Sequence, residues 1–180
     1  MDGLIDVVDE NNVVIGQEWM SVVHKKGLWH RLVVVYVFNE NGQLFVQKRS
    51  EKVPTAKGLW DHSCAGHVDV GEAPVNAAKR ELEEELGIKT KKLELIKEYK
   101  SILGEEVIDG KTLNRFWYLY KIINNGPFNL DPDEVSEGKF VNVDWLSNDI
   151  KNNTDIYTKG FIKSLNQPPT RQSRGVWAEA

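Results

Sequence analysis

Between residues 66 and 88 the chain reads GHVDVGEAPVNAAKRELEEELGI, and the spacing of Glu72, Arg80, Glu81, Glu84 and Glu85 within it suits metal chemistry. Its periodicity predicts a helix over Pro74–Leu86, opened by proline and closed by Gly87. At about 100° per residue, Val75, Ala78, Leu82 and Leu86 form an apolar stripe that must face the core. Glu81, Glu84 and Glu85 stand at i, i+3 and i+4 and share a second face, roughly 110° around the helix. That face can border a cleft while the helix stays anchored. Three carboxylates on one face repel one another, and without a cation one of them is pushed toward protonation. A hard divalent cation with oxygen ligands relieves this, and Mg²⁺ (or Mn²⁺) suits a site that also takes phosphate. Arg80, four residues before Glu84, is in range to hold a ligand carboxylate ionised and correctly turned. Gly66 can bring its backbone close to the metal because it has no Cβ. Alone, RELEEE would read as a solvated acidic face. The spacing from Gly66 and Glu72 decides against that.

Gly66, Glu72, Arg80, Glu81, Leu82, Glu84, Glu85, Gly87 and Ile88 resemble the Nudix box, G-x5-E-x7-R-E-U-x-E-E-x-G-U with U a bulky aliphatic, at every specified position. A chance match anywhere in the chain is on the order of 10⁻⁸ at ordinary residue frequencies, so the resemblance is specific over this stretch. It implies a single-domain α/β Nudix fold, a mixed β-sheet sandwiched between helices. It also implies Mg²⁺-dependent hydrolysis of a nucleoside diphosphate linked to another moiety X. Glu84 and Glu85 would then be metal ligands, Glu81 a ligand or the general base, and the Gly66 carbonyl a further contact to the metal. Arg80 would complete the catalytic set. Arg31, Arg49, Trp60 and His67 are candidate substrate contacts, and Glu105, Glu106 and Glu137 are spare carboxylates for the base.

A second set of residues resembles one branch of that superfamily, the Nudix proteins related to isopentenyl-diphosphate isomerase. It comprises His24, His30-Arg31, Gly66-His67, Gly126-Pro127-Phe128 and Asp133-Glu134-Val135. The isomerases use a cysteine, a glutamate and a metal held largely by histidines, and His24, His30 and His67 resemble those histidines. Three departures favour hydrolysis. The isomerase cysteine directly precedes Gly-His, whereas here Ala65 does and Cys64 stands one residue earlier, on the opposite face of an extended segment. Asn114-Arg115 occupies the place of a glutamate pair. The box of glutamates is also intact. Isomerisation is thus the alternative, and a nucleotide-sensing module without turnover the second alternative. Cys64 itself reads as a small buried hydrophobe.

The surrounding elements must position these groups. At 180 residues the chain suits one domain with a full core. We expect a Nudix domain over 1–166 with an N-terminal hairpin at 3–16, the box at 66–88, a helical part at 148–166, and a tail at 167–180. A helical segment is expected over Gln17–His24. Leu32–Phe38 is nearly all β-branched or aromatic and reads as a central strand buried on both faces. It forms a hairpin with Gln43–Arg49. Leu93–Ser101, Arg115–Ile123 and Lys139–Val143 read as further strands. A net charge of −4 argues against general nucleic-acid binding and leaves a small phosphorylated substrate as the partner. A homodimer is compatible with this reading. No apolar run reaches the ~20 residues of a membrane span, no signal peptide is visible, and a lone Cys64 allows no intrachain disulfide. A cytoplasmic setting is expected.

Overall fold

The computed structural model describes residues 2–101, 107–108 and 111–166, so the 167–180 tail and Glu105 and Glu106 lie outside the described residues. In chain order the elements are β1 (Leu4–Val8), β2 (Val14–Trp19), α1 (Met20–Lys26), β3 (Trp29–Phe38), β4 (Leu44–Arg49), β5 (Trp60–Asp61), β6 (Cys64–His67), α2 (Pro74–Leu86), β7 (Glu94–Ser101), β8 (Val107–Ile108), β9 (Lys111–Thr112), β10 (Asn114–Ile123), β11 (Val135–Val141), α3 (Val143–Asn152) and α4 (Lys159–Leu165).

β3 is the centre of the molecule because its apolar run leaves neither face suited to water. Val33, Val35 and Val37 pack on one side with Ala77, Ala78, Leu82 and Leu86 of α2. Leu32, Val34 and Tyr36 pack on the other with Leu146 and Ile150 of α3 and Phe161 of α4. The main sheet runs β11-β4-β3-β10-β7, with β6 on β3 and β5 on β4. β10 runs parallel to β3, while β4, β6 and β7 pair antiparallel with their neighbours, so the sheet is mixed. With helices on both faces, the sandwich expected from the sequence is what the chain adopts.

α2 has the expected bounds, and the left-handed Gly87 (φ 70°) closes it with its amide on the Glu83 carbonyl. Its buried stripe differs slightly: Ala77 is buried while Val75, in the first turn, is only half-buried. Elsewhere pairing and capping shift the boundaries. β2 extends to Trp19 because Gln17, Glu18 and Trp19 continue the ladder with β1, so the helix expected from Gln17 starts at Met20. The strand expected at Lys139–Val143 covers Val135–Val141, in register with β4. α3 begins at Val143, ahead of the expected helical part, because the Asn142 side chain caps the amides of Asp144 and Trp145. Thr158 caps α4 in the same way. Tyr36 donates to Ser164 Oγ at 2.6 Å and Thr158 to Asp61 Oδ1 at 2.7 Å, fixing α4 to the sheet beneath it. Among the described residues no helix is long and apolar enough to cross a membrane.

Candidate active site

β6 is short, and its alternation sorts the chemistry onto two sides. Cys64 packs in the α2 cluster, and a Cβ built on Gly66 would overlap the Glu81 carboxyl. Ala65 instead packs toward α3 and α4, and the His67 ring joins His24 and His30. Gly66 is therefore glycine for space, since the Glu81 carboxyl fills the place a side chain would take. Gly66→Ala is expected to displace that carboxyl and weaken divalent-metal binding by roughly 10- to 100-fold, as the loss of a ligand's support does. Calorimetric titration checks this, and an unchanged affinity would remove Glu81 from the site.

Arg80 is the hub on the α2 side. Its Nη1 donates to Glu81 Oε1 at 2.7 Å and to Glu84 Oε2 at 3.1 Å. Its Nε and Nη2 reach the two oxygens of Glu72 at 3.3 and 3.0 Å, and Nη2 also donates to the His67 carbonyl at 3.0 Å. The fork of one guanidinium thus joins the 66–72 segment to the helix, a geometry lysine cannot reproduce. Burial works against the Arg80 charge, but the carboxylates of Glu72 and Glu81 more than offset it and hold the guanidinium firmly protonated.

The three helix glutamates do not stand equally in solvent. The Glu84 side chain is 57% exposed and that of Glu81 14%, while Glu85 is buried. Gln47 of β4 donates Nε2 to Glu85 Oε2 at 2.8 Å. Burial, only partly opposed by the Arg80 charge, raises the Glu81 carboxyl to about 7. Burial first and the Glu81 charge second push the Glu85 carboxyl well above the usual carboxylate range. Burial, with the charges of Glu85 and Glu81, likewise pushes the Cys64 thiol up. Crowded, desolvated carboxyls of this kind are the donor set that a hard divalent cation stabilises, so the residues fit such an ion.

The second cluster lies across β6. His24 of α1, His30 of β3 and His67 meet with ring centroids 5.1 to 5.3 Å apart, and their ligand atoms all lie within 4.8 Å of one another. His24 Nε2 and His67 Nε2 are 3.1 Å apart. His30 Nδ1 lies 3.0 Å from the Leu28 carbonyl and donates to it, leaving Nε2 as the acceptor. Arg115 Nε donates to that atom at 3.4 Å. Burial lowers the pKa of His30 and His67 well below the usual histidine value, with the Arg115 charge acting in the same direction, so both rings are neutral. Among the described residues no carboxylate joins this group.

The remaining expected substrate contacts are otherwise engaged. Arg31 donates to the Asn12 side chain and carbonyl at 2.8 Å each and lies 3.9 Å from Asp6, fastening the N-terminal hairpin. Arg49 donates to the Thr55 carbonyl at 3.2 Å and pairs with Asp61 at 3.4 Å. The Lys139 ammonium lies 4.2 Å from the centre of the Trp60 ring. His67 is divided, its carbonyl on Arg80 and its ring in the histidine cluster. Glu137 is exposed on β11. Gln47 was not singled out in the sequence, and only its inward place in an alternating strand could have suggested it.

Residues 28–160 match the NUDIX domain. Isopentenyl-diphosphate Delta-isomerase 2 of Photorhabdus laumondii is 35% identical over 170 residues, 92% of each chain. An uncharacterized Nudix hydrolase of Clostridium acetobutylicum is 35% identical over 166 residues, 88% of this chain and 79% of that one. The crystal structure of DR0079 from Deinococcus radiodurans superposes with a TM-score of 0.74 at 23% identity, over 90% of this chain and 96% of the other, a likeness of fold. With the box complete from Gly66 to Ile88 and Glu72, Glu81 and Glu84 gathered on one arginine, the chain belongs to the Nudix family.

Proposed function

We propose that the protein hydrolyses the diphosphate linkage of a small phosphorylated molecule, a nucleoside diphosphate joined to a moiety X, with Mg²⁺ or Mn²⁺ as cofactor. The observation that carries this reading is the single assembly of Glu72, Glu81 and Glu84 on Arg80, with Glu85 buried beside them. Glu81, Glu84, Glu85 and the Gly66 carbonyl would hold the metal. Bound there, the ion would polarise phosphoryl oxygens and lower the cost of activating water. Arg80 keeps Glu81 and Glu84 turned to the site. Glu81, with a carboxyl raised to about 7, is suited to accept the proton of the attacking water if it does not ligate the ion. Water oxygen then bonds to phosphorus, the phosphorus–oxygen bond to the leaving phosphate breaks, and the proton ends on the base. Phosphate or monophosphate release with Mg²⁺ or Mn²⁺, across nucleoside diphosphates, nucleoside-diphosphate sugars and dinucleotides, tests the reading. No release from any of them would overturn it.

The histidine cluster and the 35% identity to the Photorhabdus isomerase favour a second reading, conversion of isopentenyl to dimethylallyl diphosphate. Against it, the buried Cys64 thiol faces α2, and it is Ala65 that lies on the histidine side of β6. Hydrolysis needs no thiol. Cys64→Ser should therefore leave phosphate release intact, with a packing loss of about 1 kcal/mol. Isomerisation of isopentenyl diphosphate by the wild type, abolished in Cys64→Ser, would establish the second reading instead.

A further inference from the structure

Gln47 sits on β4, between Val46, which faces α3 and α4, and Lys48. Its alternation carries the side chain to the α2 side, where the whole residue is 3% exposed. Its amide nitrogen donates to Glu85 Oε2 at 2.8 Å, while its amide oxygen is buried with no hydrogen-bond partner. With its nitrogen on Glu85 Oε2, the amide matches the ionised carboxylate that a metal ligand would present. An amide serving only to pack β4 against α2 has no reason to leave a buried acceptor unmet beside crowded carboxyls, since unmet buried acceptors are rare.

We propose that Gln47 is a positioning residue for the box metal: its amide nitrogen turns Glu85 toward the ion, and its buried amide oxygen is offered to the hydrated ion. The inference rests on the metal-binding reading above. Gln47 differs from the box residues in coming from the sheet, so it sets the ligand from outside the helix. Outer contacts of this kind change metal affinity about 10- to 100-fold when removed.

The test is calorimetric titration of the full chain with Mn²⁺, together with thermal unfolding in chelator and in Mn²⁺. Gln47→Met keeps the bulk and removes both polar atoms, and it is expected to bind Mn²⁺ about 10- to 100-fold more weakly than the wild type. Gln47→Glu places a second carboxylate beside Glu85. It is expected to unfold at lower temperature than the wild type in chelator and to gain more from Mn²⁺. Wild-type affinity in Gln47→Met, or no larger Mn²⁺ gain in Gln47→Glu, would overturn the role of Gln47. If Gln47→Met does not fold, the Gln47→Glu comparison decides. A wild type that binds no Mn²⁺ would instead overturn the metal reading itself.

Discussion

Glu85→Gln is expected to remove at least about 99% of turnover while making the metal-free protein more stable. Loss of an outer contact to a metal ligand already costs 10- to 100-fold, so loss of a ligand charge should cost at least about 100-fold. The stability gain follows from where the carboxyl lies. Glu85 is 6% exposed, and burial and the Glu81 charge both disfavour its ionised form. Glutamine has the same shape, carries no charge, and can turn its amide oxygen to the Gln47 nitrogen. Because the folded-state pKa is raised, the native carboxyl contributes its full stability only below the unfolded value of 4.5 and loses it as pH rises through the folded one. The Glu85→Gln advantage in chelator should therefore be larger at pH 8 than at pH 5. About 1 kcal/mol would raise the unfolding temperature by about 2–4 °C in a chain of this size. Adding Mn²⁺ should shrink the difference, since the ion stabilises only the protein that binds it. Activity assays at saturating metal and unfolding scans in chelator at the two pH values check both halves. Full turnover in Glu85→Gln would remove Glu85 from the metal set.

The helix and its outward charges were legible in the sequence because both depend on local spacing. Proline at the start, Gly87 at the end and the i, i+4 offset of Arg80 and Glu84 are backbone rules, and each is met in the fold. The double burial of β3 followed from its run of β-branched and aromatic residues. Contacts that close over long separations were not legible. Arg80 was expected to meet Glu84, yet it also grips Glu72 and the His67 carbonyl, because the 66–72 segment folds back on the helix. Glu85 shares a face with Glu81 on a helical wheel, but it borders the buried stripe, and only the approach of β4 decides that it is covered. The three histidines come from α1, β3 and β6, so no spacing rule joins them. The resemblance to isomerase-related Nudix proteins suggested the group, and the sheet register brings His30 and His67 together. α3 began earlier than its apolar pattern suggested because a single asparagine cap outweighs the weak periodicity of its first turn.

Arg80→Ala is expected to cost both stability and activity, in contrast to Glu85→Gln. The alanine leaves Glu72 and Glu81 without their cation in a partly desolvated setting and frees the His67 carbonyl. Stripping one partner from a fully buried ion pair costs 3–5 kcal/mol, and solvent screening reduces this where the Arg80 side chain is 28% exposed. A loss of about 2–3 kcal/mol is therefore expected, which corresponds to an unfolding temperature lower by about 5–10 °C. Turnover should fall by more than about 100-fold, because Glu81 and Glu84 lose the group that turns them to the metal. Arg80→Lys separates charge from geometry. Its ammonium keeps the positive charge but cannot span both oxygens of Glu72 and still reach Glu81 and Glu84. It should recover most of the stability and only a small part of the activity, with the remaining defect appearing as weaker Mn²⁺ binding in calorimetry. If Arg80→Lys turns over and binds Mn²⁺ like the wild type, the site needs only a cation at residue 80, and the positioning role assigned to the guanidinium fork is wrong.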